Sequence, residues 1–106
     1  MAYRVELAIR ASQDLEQMYE RISADDSSVA ALWYFELEDA ILTLRSFPRR
    51  CPITPESKRT GGDLRHLLYS SKRGAYRVIY EINESRKLVR VITIRHSAMD
   101  EFVDNR

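Results

Sequence analysis

All three prolines of the chain, Pro48, Pro52 and Pro55, and the Gly61-Gly62 pair fall between residues 48 and 63. Proline fixes φ and removes a backbone donor, while glycine admits conformations closed to other residues, so neither a helix nor a central strand runs through this stretch. It reads as an irregular connection between two parts of different character. The residues before it carry mainly helical periodicity, and those after it alternate.

In the first part, Tyr3, Val5, Leu7 and Ile9 alternate with Arg4, Glu6 and Ala8, which predicts a half-buried strand over residues 3–9. Ser12 then stands as an N-cap with Asp14 and Glu16 in the first turn, and Leu15, Met18, Tyr19 and Ile22 follow at helical spacing to about Ala24. The polar cluster Asp25-Asp26-Ser27-Ser28 makes a turn and caps a second helix, whose apolar stripe is Trp33, Leu37, Ala40, Ile41 and Leu44. Pro48 stops that helix close to Phe47. In the second part, three runs of strand character cover residues 64–69, 75–82 and 88–95, separated by turn-forming residues 70–74 and 83–86.

The order β-α-α-β-β-β contains no repeated β-α-β unit. It predicts an α+β fold: an N-terminal strand, a two-helix hairpin and a three-stranded antiparallel meander forming one mainly antiparallel sheet, with the hairpin on one face. At 106 residues the chain is a single domain of residues 1–106. One cysteine, Cys51, excludes an intrachain disulfide and a cysteine-built zinc site, and a reducing cytoplasm is the expected setting. The N-terminal apolar run is too short for a signal peptide or a membrane span, so no membrane association is expected.

The net charge of +1 conceals a polarity. Residues 1–46 hold nine acidic and four basic side chains, whereas residues 47–106 hold seven and thirteen. Arg49, Arg50, Lys58, Arg59, Arg65, Lys72, Arg73 and Arg77 face only Glu56 and Asp63 within residues 49–77, an excess that attracts phosphate or an acidic partner. In the run Tyr76-Arg77-Val78-Ile79-Tyr80, alternation sets Arg77 opposite Tyr76, Val78 and Tyr80. With the tyrosine side under the helices, Arg77 lies on the open face. Arg65 on the preceding strand and Arg95 at the end of the following one are candidates to join it around one ligand. His96 follows directly and is suited to general acid or base chemistry; His66 is the weaker candidate. Trp33, Tyr19, Tyr34 and Phe35 are assigned to core or partner contacts. Two histidines without a HExxH spacing, and no Gly-rich phosphate loop, give no basis for metal or nucleotide hydrolysis, and no cofactor is expected.

Leu64-Arg65-His66-Leu67-Leu68-Tyr69, Tyr76-Arg77-Val78-Ile79-Tyr80 and Ile94-Arg95-His96, following a strand and a helical hairpin, together resemble the RelE/ParE superfamily of bacterial type II toxins across nearly the whole chain. The resemblance implies a growth inhibitor neutralised by a cognate antitoxin that wraps it. It also implies one of two targets, DNA gyrase or ribosome-bound messenger RNA.

In the ribonuclease branch, which needs no metal, Arg77 matches the strand arginine. By the same resemblance Arg65 would hold the phosphate, His96 would serve as acid or base, and Arg95 would stabilise charge. Two strand lysines of that branch are replaced by Arg65 and Leu67, and its C-terminal tyrosine has no counterpart after Ser97. The long hairpin and the Arg95-His96 ending resemble the ParE-like gyrase branch, although Ser97-Ala98-Met99-Asp100 lacks the further arginine often found there. A third expectation is a binding module that keeps the fold without activity.

Overall fold

The computed structural model describes residues 2–55, 57 and 63–96. Strand β1 spans Arg4–Leu7 and ends earlier than its alternation suggests. The Ala8 amide donates to the Val91 carbonyl at 2.8 Å, and helix α1, Ile9–Asp25, begins at the next residue. Ile9, expected on the buried side of the strand, is therefore 77% exposed. The N-cap is Ala8, with extended backbone and no side-chain cap. Ser12, expected to cap, already lies inside the first turn, its amide donating to the Ala8 carbonyl at 3.0 Å. The tertiary ladder bond at Ala8 overrides the local capping preference of serine.

Helix α2, Ser27–Leu42, starts where the polar cluster predicts. Asp26 is its N-cap, and Oδ1 accepts from the amides of Ser28 at 3.0 Å and Val29 at 3.2 Å and from the Ser28 hydroxyl at 2.8 Å. These bonds, led by the hydroxyl, hold the Asp26 carboxyl below its ordinary range. The buried positions Ala11, Leu15 and Ile22 of α1 and Ala30, Trp33, Leu37 and Ile41 of α2 repeat at helical spacing, so each helix turns one stripe to the core.

Beyond Leu42 the chain tightens into a 3₁₀ turn over Thr43–Arg45, and Leu44 is fully buried. Phe47 follows in the left-handed region at φ 51°, 81% exposed, before a second 3₁₀ turn over Pro48–Arg50. The Arg50 guanidinium fastens this reversal, donating to the carbonyls of Ser46 at 2.9 Å and Thr43 at 3.2 Å and to the Thr43 hydroxyl at 2.6 Å. Satisfying carbonyls left over at a helix end stabilises a geometry that its own residues disfavour.

The meander consists of β2, Arg65–Ser71, β3, Gly74–Asn83, and β4, Leu88–His96. Strand order is β1-β4-β3-β2, with both meander pairs antiparallel and β1 parallel to β4. Tyr76, Val78 and Tyr80 of β3 pack under the helices with Val89, Val91 and Ile94 of β4. Those β4 residues do not share one parity. The register shifts between Ile79 and Tyr80, Ile79 pairing with Thr93 and Tyr80 with Val91, so Ile92 is an extra residue. This bulge turns Val89, Val91 and Ile94 to the same face.

Beyond the end of β1, the edge of β4 is closed by a side chain. The Asp14 carboxylate of α1 accepts from the Ile94 amide at 3.0 Å and from the Thr93 hydroxyl. Glu84, in the β3–β4 turn, collects the Tyr3 hydroxyl at 2.9 Å, Arg49 at 2.6 Å and the Lys87 ammonium. That exposed cluster ties the N-terminus, the second 3₁₀ turn and the meander together.

Candidate functional site

The strand register decides which cations meet. Residues paired across an antiparallel ladder project to the same face, and neighbours along a strand to opposite faces. Arg77 pairs with Arg95 on one side and Leu68 on the other, on the face away from the helices. Arg65 pairs with Tyr80, and His96 with Tyr76, both tyrosines belonging to the helix-packed core. The four candidates therefore divide into Arg77 and Arg95 on one face and Arg65 and His96 on the other. The bulge decides which residue of β4 joins Arg77: without the extra Ile92, Arg95 would share the parity of Val89 and Val91 and turn toward the helices, and His96 would take its place on the other face.

Arg77 lies on the face away from the helices, as expected for it, and its guanidinium Nε donates to Nδ1 of His66 at 3.2 Å. For that bond to form, Nδ1 must be unprotonated, so the neutral imidazole carries its proton on Nε2. His66, the weaker histidine by sequence, is thus the one placed beside the strand arginine. The available signal was parity: His66 and Leu68 alternate with Arg65, so assigning Arg65 to the core side sends His66 to the open side.

Arg65 holds up the segment after α2. Its Nη1 donates to the carbonyls of Cys51 at 2.7 Å and Arg49 at 3.1 Å. An isolated bridge to Ile53 flanks it. The same segment is fixed from below by the Tyr80 hydroxyl, which donates to the Pro48 carbonyl at 2.5 Å. Burial, and then the neighbouring Cys51 thiol, push the Tyr80 phenol upward, keeping it a neutral donor. The basic residues 49 and 50 are likewise engaged, on Glu84 and on main-chain carbonyls. Lys58 and Arg59 lie outside the described residues.

His96 sits at the other end of the sheet. Its Nε2 lies 2.8 Å from the Arg73 carbonyl, and its ring meets Tyr76 edge-on with centroids 4.6 Å apart. A carbonyl oxygen can only accept, so Nε2 carries the proton and Nδ1 is the lone-pair nitrogen of neutral His96. Gly74, at φ 113°, makes room: a Cβ there would stand 2.9 Å from Nε2.

A groove of about 440 Å³ opens beside this imidazole, between α1 and the β2–β3 turn. Its walls bring Arg21, Lys72 and Arg73 around Met18, Ile22 and Tyr76. A second hollow of about 170 Å³ shares Met18, Arg21 and His96 with it and continues to Asp14 and Arg95. Among the described residues no group of three or more His, Cys, Asp or Glu side chains is arranged to hold a metal ion. No helix among them is long and apolar enough to cross a membrane.

The architecture has known counterparts. The "Chromosomal ParDE TA system from P. aeruginosa" matches with a TM-score of 0.69 at 14% identity, over 90% of this chain and 96% of that one. The toxin-antitoxin complex RelBE2 from Mycobacterium tuberculosis matches at 0.60 with 22% identity, over 92% and 94%. A mutant of E. coli RelE in the free state matches at 0.59 with 21% identity, over 93% and 88%. At such identities these likenesses establish the fold. No curated protein sequence matches the chain. The family model described as "ParE toxin of type II toxin-antitoxin system, parDE" matches residues 5–101, nearly the whole chain, which therefore belongs to the ParE family of type II toxins within the RelE/ParE superfamily.

Proposed function

We propose that this toxin arrests growth by inhibiting DNA gyrase rather than by cutting messenger RNA, and that a cognate antitoxin neutralises it. The observation that carries the choice is the separation of the four candidate catalytic side chains. Metal-independent cleavage needs a base, an acid and a phosphate-holding cation around one phosphorus, each within hydrogen-bond reach. Arg65 and His96 pair with β3 positions Tyr80 and Tyr76 from opposite neighbouring strands. From strand geometry this puts their backbones about 13 Å apart along the sheet and about 10 Å across it. Arg65 is also held on two carbonyls. The family match to ParE agrees with this reading. In it, the adjacent Arg77 and Arg95 form the cationic contact with the target.

The test is a supercoiling assay with reconstituted gyrase and the purified chain. Loss of supercoiling, restored by Arg77→Ala in a protein of unchanged thermal stability, is the expected result. Unimpaired gyrase would reject the proposal.

One arrangement favours the ribonuclease as the second reading: His66, Arg77 and Arg95 share the open face, with His66 touching Arg77. That reading exchanges Arg65 and His96 for His66 and predicts ribosome-dependent cleavage lost in His66→Ala and retained in Arg65→Lys. A chain that inhibits neither target is the fold-retaining binding module.

A further inference from the structure

We propose that the hollow between the entry to β1 and the two 3₁₀ turns is a stacking site for an unpaired base of single-stranded DNA. It measures about 400 Å³ and is lined by Ala2, Tyr3, Ser46, Phe47, Pro48 and Arg49. That volume falls within the about 300–1,000 Å³ of small-ligand sites. Two aromatic rings and a guanidinium at one opening are the combination that holds a base by its face and its phosphate by charge.

The walls are fixed in advance. Phe47 stands at φ 51°, a region that bulky residues rarely enter, and the proline after it favours an extended backbone instead. Its ring is 81% exposed, so burial recovers almost nothing of that strain. The surroundings impose the conformation. Arg50 clamps the carbonyls of Ser46 and Thr43, and the fully buried Pro48 has its carbonyl taken by the Tyr80 hydroxyl. A strained, exposed aromatic ring that the fold holds but does not pack points to a partner. Tyr3 is held as firmly: its amide donates to the Arg45 carbonyl at 3.0 Å, its hydroxyl donates to Glu84 at 2.9 Å, and the Lys87 ammonium lies 5.3 Å from its ring centroid.

Charge selects the occupant. Arg45, Arg49 and Arg50 are all exposed within residues 45–50. A second copy of the chain would bring these like charges together, whereas a phosphodiester strand neutralises them. The Arg49–Glu84 pair is open to water, with side-chain exposures of 49% and 46%, so a phosphate can join Arg49 with little loss. Beside the rings, Ala2 and Pro48 offer apolar surface that suits deoxyribose better than ribose, whose 2′-hydroxyl would lose its water there. The neighbouring β3–β4 turn begins after Asn83, six residues beyond Arg77 along β3 and so about 20 Å away. The contact is therefore additional to the one assigned to Arg77 and Arg95.

The experiment titrates the full chain into a fluorescently labelled oligothymidylate at about 0.15 M salt, reading anisotropy, with NMR of the Phe47 and Tyr3 ring protons. The expected result is saturable binding with shifts at both rings, weakened about tenfold or more by Phe47→Gly and kept by Phe47→Trp. Lys72→Glu, in the turn at the opposite end of β3, should change the affinity by less than about twofold, because screening confines the effect of its charge. Absent binding, equal affinity in Phe47→Gly, a loss in Phe47→Trp as large as in Phe47→Gly, or shifts confined to another surface would overturn the proposal. Tighter binding of a duplex would overturn stacking on an unpaired base, tighter binding of oligouridylate the choice of DNA, and tighter binding of polyglutamate at the same rings the choice of nucleic acid.

Discussion

Replacing Gly74 with alanine should destabilise the protein through two separable effects. The first is local: φ at Gly74 is 113°, a conformation that L side chains rarely adopt. Holding a residue in a sparsely populated backbone region costs about 1–3 kcal/mol. The second is tertiary. The new Cβ would stand 2.9 Å from Nε2 and 3.3 Å from Cε1 of His96, so the imidazole must move away from the Arg73 carbonyl. Loss of one hydrogen bond adds about 0.5–1.5 kcal/mol. The sum is about 1.5–4.5 kcal/mol, a large share of the stability of a small domain.

A double-mutant cycle with His96→Ala separates the parts, because removing the ring removes the clash and leaves the backbone strain. Urea unfolding of the four proteins is the assay. Gly74→Ala should cost about 1 kcal/mol less in the His96→Ala background. Equal costs in the two backgrounds would refute the contact between the turn and the imidazole, and a cost near zero in both would refute the strained backbone as well.

Phe47→Gly relieves a left-handed conformation that costs a non-glycine residue about 1–2 kcal/mol, offset in part by the greater freedom of an unfolded glycine. Because the ring is 81% exposed, thermal unfolding should show a variant at least as stable as the parent, and a clear loss would contradict this. Glu84 supplies a pH dependence. Its bonds to Lys87, Arg49 and Tyr3, in that order, hold its pKa at about 2 against an ordinary 4.5. A depressed carboxyl stabilises the fold above the unfolded value and loses that contribution as pH falls through the folded one. The stability gap between parent and Glu84→Gln should thus be full at neutral pH and shrink between pH 4.5 and about 2. A gap that is constant with pH would refute the role of its charge.

The elements were legible because burial imposes periodicity. The stripes Ala11-Leu15-Ile22 and Trp33-Leu37-Ile41 and the alternation Tyr76-Val78-Tyr80 are direct records of which side faces the core. The placement of Arg77 away from the helices followed from the same alternation. Pairing was less legible. That β1 runs parallel to β4 depends on partners more than eighty residues apart, and no local pattern encodes it. Ser12 illustrates a related limit, since a ladder bond at Ala8 started the helix before the serine was reached.

The β4 bulge had the greatest consequence for the site. The segment Val89-Arg90-Val91-Ile92-Thr93-Ile94 is apolar enough to be threaded in either parity. The choice is made by tertiary partners, Asp14 on Thr93 and Ile94 and the core on Val91. Alternation alone sends the neighbours Arg95 and His96 to opposite sides, but because both lie beyond the shift, the sequence could not resolve which of them joins Arg77 and which turns toward the helices. Residues 97–106 lie outside the described residues.

The most direct test of the account is the order in which synthesis fails after induction in bacteria, followed by pulses of labelled thymidine and labelled amino acid beside an Arg77→Ala control. Gyrase inhibition predicts that thymidine incorporation falls first while amino-acid incorporation persists, and that the control grows. Immediate loss of amino-acid incorporation with thymidine uptake intact would contradict it.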